Sequence, residues 1–369
     1  MSGSAGSGEN TAVGYKAGVA ITTGVTNVIM GSESGLAMTS GKQNVASGYR
    51  SLFNITTGFD NTGIGYRALY DETTGNYCTA VGSYALYENV GTSGTTAVGY
   101  SALRNNLTGT GNTAIGYQAM LEQTTGNNNT AIGYGAMDDT GNVPASTANV
   151  FIGKDSGGGT WVTAVSNYNT AIGAETMTGV MNGALGNTGI GYGALYSLTT
   201  GYHNTVVGSW AGEAVTTASG SVFLGTATGR ALTTGNQNIA IGSGSMGVGV
   251  TTGDNNIAIG ASAGDALTDG LGNIFMGYGA GGATTSVQKA IAIGYNAIGS
   301  GNATTGANST IAIGTQAVKN ITSGKYNIGI GNNALDSETT GDSSVALGHE
   351  ALNVQVGIDG EVGNTAIGF

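Results

Sequence analysis

The sequence predicts an all-β fold: a single-domain parallel β-solenoid, or β-roll, of about 21 coils with a 17-residue period. Three observations predict it. The phrase written TTGNNNTAIGYGAM at 124–137 returns, slightly altered, along the whole chain. The composition suits neither helix nor disorder. Copies aligned on one glycine keep a narrow class of residues at several positions.

The period comes first. Anchoring each copy on the glycine that ends its AIG-like run gives 21 anchors, from Gly14, Gly31 and Gly48 to Gly331, Gly348 and Gly368. Fourteen of the twenty gaps are 17 residues, two are 18 and four are 20, which leaves no room for a separate domain. Residues 1–9 read as a short Gly/Ser-rich arm and 10–369 as one continuous array without obvious caps.

Composition removes the competitors. The 369 residues hold 70 Gly, one Pro and 8% charged residues, yet they are dense in Thr, Val and Ile, unlike a disordered chain. Gly, Thr and Asn are poor helix formers, and glycine does not fall at every third place as collagen requires. A net charge of −11 with ten Lys and Arg gives phosphate nothing to bind, so no nucleic acid is expected. No apolar run is long enough for a membrane helix, so no membrane insertion is expected. The N-terminus shows no signal peptide.

The columns turn sequence into geometry. Three before the anchor every copy is Thr, Val or Ile; one before it twenty of twenty-one are Val, Ile, Leu or Met. Alternate strand positions share a face, so these two columns line one apolar surface. Four before the anchor fifteen copies carry Asn, including Asn10, Asn61, Asn112, Asn129 and Asn256, as a stacked hydrogen-bonding ladder would. A TTG or TSG turn closes most copies, as at Gly58, Gly75 and Gly126. Two short strands and two turns per coil follow, and 21 coils at about 4.8 Å would make a rod of roughly 100 Å.

Two further columns trade volume. Two before the anchor sixteen copies are Ala or Gly and five are large: Ile29, Phe151, Val206, Phe223 and Phe275. Four after it, thirteen copies are large aliphatics, but those five copies carry Gly35, Gly157, Gly212, Gly229 and Gly281. The pairs Phe151 with Gly157, Phe223 with Gly229, and Phe275 with Gly281 are therefore expected to fill one shared volume. Gly18 and Gly264 have no large partner in their own copies. Both strand faces would then need covering, and the expected cover is another copy of the chain, with a homotrimer favoured.

Copies such as NNIAIG (255–260), STIAIG (309–314) and SSVALG (343–348) resemble the NSVAIG repeat of the YadA-like heads of trimeric autotransporter adhesins. The TTGNNNTAIGY variant is similar to repeats of phage tail-fibre and other virion-appendage proteins. The resemblance implies a left-handed parallel β-roll, three chains side by side, and an adhesive role. It covers residues 10–369. The family's repeat is shorter than 17, and neither a coiled-coil stalk nor a membrane β-barrel is visible, so a virion fibre is expected before a cell-surface autotransporter.

Chemistry offers little competition. His203 and His349 are far apart, Cys78 stands where most copies have Asn, and the acids, Glu72 and Glu338 among them, are scattered over turns. No catalytic residue, metal site or cofactor is expected. Surface contact falls instead to the tyrosines after the anchor, such as Tyr100, Tyr117 and Tyr134, and to the 20-residue copies with Pro144 and Trp161, expected to bulge outward. The function expected is a non-catalytic fibre of a virion or a cell surface, with a glycan or protein receptor as further partner. The alternative is an extracellular filament that stacks head to tail; an ice-binding solenoid is the third class, disfavoured because the Thr column turns to Ile239, Ile257 and Ile274.

Overall fold

Each repeat forms one three-residue β-strand, and within each compact unit consecutive strands pair in parallel and in register. The computed structural model describes residues 8–141, 145–356, 360–361 and 363–369. It is a parallel β-solenoid of about 21 coils, with one 3₁₀ turn at Thr305–Ala307 and no α-helix among the described residues. Two compact units divide it, Met1–Gly186 and Asn187–Phe369. In the first, strands run from Thr11–Val13 to Thr170–Ile172, with partners such as Thr96↔Thr113 and Ala97↔Ala114. In the second they run from Thr188–Ile190 to Thr365–Ile367, paired for example Ile257↔Ile274 and Ala258↔Phe275.

The anchor glycine makes this stacking possible. Gly14 lies at φ +134°, and a Cβ there would sit 2.5 Å from the carbonyl oxygen of Gly31 in the next coil. No side chain fits between carbonyls so placed, so the anchor column holds glycine throughout.

Two strands per coil were expected; only one regular strand is found. The opposite flank is built from the TTG turns, where one carbonyl collects several amides. Thr39 O accepts from Thr22, Thr23 and Gly24 N at 2.9, 3.1 and 3.2 Å, and Thr216 O from Thr199, Thr200 and Gly201 N at 3.0, 3.2 and 3.2 Å. Converging donors replace the alternating ladder of a strand. Among the described residues this flank pairs as β-structure at Gly341–Asp342 with Gly360–Glu361 and at the isolated bridges Lys42↔Phe59 and Asn167↔Leu185.

The strand's middle residue points in and its neighbours point out. Ala46, Ala97, Phe151, Phe223 and Ala312 are fully buried at the middle position, while Val28, Met30, Ile64, Ile115, Leu224 and Ile330 are exposed beside it. The interior of a coil is filled by the middle residue, the large residue four after the anchor, and a third seven after it, as in Ala46, Leu52 and Ile55.

Volume sharing accounts for the glycines of that second column, although at Gly212 the nearest ring is Phe223 of the next coil, at 3.3 Å, rather than a side chain of its own Val206. A Cβ on Gly157 would meet the Phe151 ring at 2.5 Å, on Gly229 the Phe223 ring at 3.0 Å, and on Gly281 the Phe275 ring at 2.7 Å. The unmatched pair has the same cause one coil away. A Cβ on Gly264 would meet Phe275 at 2.9 Å, and on Gly18 it would meet Ile29 at 3.0 Å. A large side chain leans into the preceding coil as well as its own.

The asparagines run through both units in the same pattern. Asn27 N and Nδ2 both donate to Asn10 Oδ1 at 2.9 Å, and Asn27 Nδ2 also donates to Gly41 O at 2.8 Å. Asn61 Nδ2 donates to Gly75 O at 2.8 Å, and Asn112 Oδ1 accepts from Asn129 N at 2.9 Å. Asn256 repeats the arrangement between Asn238 and Asn273. Each amide thus ties the strand to the TTG turn and one coil to the next, saturating buried polar groups.

Candidate functional site

Two surfaces stand out from the repeat: the outward strand face, and an aromatic band beside it in the N-terminal unit. The first is set by the columns flanking the buried strand residue. In the C-terminal unit six consecutive strands present Ile239 and Ile241, Ile257 and Ile259, Ile274 and Met276, Ile291 and Ile293, Ile311 and Ile313, and Ile328 and Ile330. All twelve are partly or fully accessible, and none is charged. In the N-terminal unit the same face is mixed, with Thr62, Thr79, Thr96, Thr113 and Thr130 beside Val or Ile.

The aromatic band begins at the residue after the anchor. Tyr100, Tyr117 and Tyr134 are 46%, 44% and 54% exposed, and their rings stack at 5.2 and 5.1 Å with interplanar angles of 14° and 7°. Tyr49 and Tyr66 stack likewise at 5.5 Å. A second column four residues on, Phe53, Tyr70 and Tyr87, stacks at 4.9 and 5.1 Å. Between the columns lie guanidinium groups. Arg50 is 5.0 Å from the Tyr49 ring and 5.2 Å from Phe53, and Arg67 is 5.3 Å from Tyr66 and 5.4 Å from Tyr70. Arg104 reaches Tyr84 and Tyr87 at 5.5 and 5.8 Å. Arg50 also pairs with Glu33 at 2.6 Å, which raises its pKa above the ordinary guanidinium value. The Tyr84 phenol, hydrogen-bonded to Tyr66, is raised too. The second column was legible in principle, since Phe53, Tyr70 and Tyr87 lie 17 apart.

Trp161 is not a surface residue. It is 3% exposed, its Nε1 donates to Gly157 O at 3.0 Å, and it packs edge-to-face with Phe151, ring centroids 5.7 Å apart. The lengthened coil turns inward there, because the indole takes the interior place that Ile55 or Leu198 holds in 17-residue coils. Pro144 lies outside the described residues. Nearby, burial first, then the charges of Asp155 and Asp139, push the Asp138 carboxyl up to about 6.

Glu72 and Glu338 directly precede TTG turns, and both are completely buried, in the column that holds Ile55, Leu198 and Leu232 in other coils. Glu72 Oε1 accepts from Thr74 N at 3.0 Å, Gly75 N at 2.5 Å and Gly91 N at 3.0 Å, while Oε2 accepts from Asn89 Nδ2. Asn106 Nδ2 continues the chain to Asn89 Oδ1 at 2.7 Å. Glu338 Oε1 collects Thr339, Thr340 and Gly341 N at 3.0, 3.2 and 2.7 Å, and Oε2 accepts from Gln355 Nε2 at 2.8 Å. Both glutamates precede a coil without the TTG turn, VGTSG at 90–94 and VGIDGEVG at 356–363. At Glu72 the carboxylate supplies the acceptor that the next turn's carbonyl supplies elsewhere. The clue was an acid directly before TTG.

Cys78 is buried in the asparagine column, with its N donating to Asn61 Oδ1 at 2.9 Å. Burial pushes its thiol up to about 11. The thiolate is the reactive form, so aromatic disulfide reagents at about pH 8 are expected to modify Cys78 only slowly in the folded chain and rapidly in denaturant. Equal rates would show the site open to solvent. Among the described residues no group of three or more His, Cys, Asp or Glu could hold a metal ion, and no helix is long and apolar enough to cross a membrane. No protein-family model matches the chain, and no curated protein is significantly similar to it in sequence.

Proposed function

We propose that the chain is a non-catalytic structural protein, a fibre component of a virion or a cell-surface appendage, which associates laterally with copies of itself, three in the favoured arrangement, and serves in attachment. The observation that carries this reading is the outward isoleucine face of the C-terminal unit: six consecutive strands of accessible, uncharged, mostly β-branched side chains. A parallel sheet is ordinarily covered on both faces, and a contiguous apolar strip of this kind marks a surface that meets another protein. A strip of identical side chains in register is complementary to the same strip on another copy. The columns vary so little from coil to coil that chemistry is distributed along the array rather than gathered at one place, as suits a structural element.

Sedimentation velocity of the full chain over a dilution series tests this. A single oligomeric species is expected, dissociating to monomers when Ile259→Arg and Ile293→Arg are combined, with the β-type spectrum retained because neither side chain is in the interior. A wild-type chain that is monomeric at every concentration would overturn the reading. Fibres in electron micrographs that lengthen with concentration would point instead to the end-to-end filament.

A further inference from the structure

We infer that the aromatic and arginine band of the coils anchored on Gly48 to Gly116 binds an acidic polysaccharide, seating carboxylates of the polymer on Arg67 and Arg104. This names a partner class for the attachment role proposed above and rests on that reading. It uses none of the strand-face residues, so the two can fail separately.

The band presents donors rather than ring faces. Tyr49 with Tyr66, Tyr100 with Tyr117 and Tyr134, and Phe53 with Tyr70 and Tyr87 stack at 4.9 to 5.5 Å, while Tyr84 stands edge-on to Tyr66 and Tyr100 where Ser83 interrupts the column, so most of the faces on which a neutral sugar would lie are already covered. What reaches solvent is ring edges, the positive end of the aromatic quadrupole, with the phenol hydroxyls. Three of the chain's four arginines lie here, although acids outnumber basic residues 21 to 10 overall. Arg50 is already neutralised by Glu33, and the fourth arginine, Arg230, by Glu213 in the other unit.

Arg67 and Arg104 have no ion pair among the described residues, and the Nε atom of each is buried without a hydrogen-bond partner. Each guanidinium is held against two rings and is therefore oriented before any ligand arrives. The planar fork left for an external acceptor matches a carboxylate in two-point geometry.

Spacing favours a polymer. Arg67 belongs to the Gly65 coil and Arg104 to the Gly99 coil, two coils on, so they are about 10 Å apart along the stack. A linear glycan with one uronate in each disaccharide places its carboxylates at a comparable step. Asp71, which accepts from Asn54 Nδ2 at 2.9 Å, and Glu88 lie just beyond the outer ring column. They keep the band from being a general basic patch.

The test is biolayer interferometry of the full chain on immobilised hyaluronate, with neutral dextran alongside. Binding to hyaluronate and none to dextran is expected, with tenfold or greater weakening in the Arg67→Gln, Arg104→Gln double variant and no change in Arg230→Gln. No binding to hyaluronate, equal binding to dextran, or undiminished binding by the double variant would overturn the inference. If the double variant misfolds, displacement of the wild-type chain by soluble hyaluronate oligosaccharides decides: displacement at a saturating level supports the site, and none rejects it. Sedimentation of the same samples shows whether self-association is intact.

Discussion

Replacing Gly157 by Leu is expected to destabilise the N-terminal unit by about 3 kcal/mol, and replacing Phe151 by Ala in the same chain is expected to restore much of the loss. The backbone is not the obstacle. Gly157 lies at φ +64°, but Leu52, Leu69 and Leu86 occupy the equivalent place in other coils at φ +50°, +50° and +49°. The obstacle is the Phe151 ring, which a Cβ would meet at 2.5 Å. Phe151→Ala alone opens a cavity and is expected to cost about 3–5 kcal/mol. The double variant has the Ala and Leu of coils such as that of Ala97 and Leu103, both fully buried there. Rescue stays partial because Trp161 loses its contact with the ring. Thermal or denaturant melts of the four chains close the cycle. Additive losses would show that the two positions do not share a volume.

Glu72→Leu is the second large effect. By column it looks like an improvement, since several coils bury an aliphatic there, Ile55 and Leu198 among them. The expected result is a loss of roughly 3 kcal/mol, because the buried Gly75 amide and Asn89 side chain, together with the part-buried amides of Thr74 and Gly91, would lose their acceptor. Glu72→Gln keeps one carbonyl oxygen for the three amides and sacrifices only the Asn89 contact, so its loss is expected to be smaller. Chemical denaturation of both variants, with hydrogen exchange at Thr74 and Gly75, separates the two cases. A Leu variant as stable as the parent would mean that the turn amides find another acceptor.

The repeat made much of this fold legible. A 17-residue period with a fixed glycine specified coils, and the match of Phe151 to Gly157 and of Phe223 to Gly229 specified which side chains meet, because a close-packed interior conserves volume. The asparagine column was legible for a similar reason: only stacking in register places identical amides above one another. Departures from the repeat were harder to read. Trp161 lies in a lengthened copy, and length alone says nothing about whether added residues turn out or in. Glu72 is one acid among 21 until its neighbours' amides are placed around it. The guanidiniums of Arg50 and Arg67 gained meaning only when the rings of two columns stood on either side.

By itself, the sequence determined the period, the register and the pairs of positions that exchange volume. Only the tertiary structure decided which strand face turns inward. Apolarity alone favours burying the Ile and Val columns, and the chain buries the Ala and Phe column instead. The reason is the width of the coil. Leu, Met or Ile side chains reach across from four and seven residues after the anchor, and the space left opposite them admits Ala, or a large residue where the facing position is glycine. The β-branched columns are therefore left outside, on the face proposed to meet another copy.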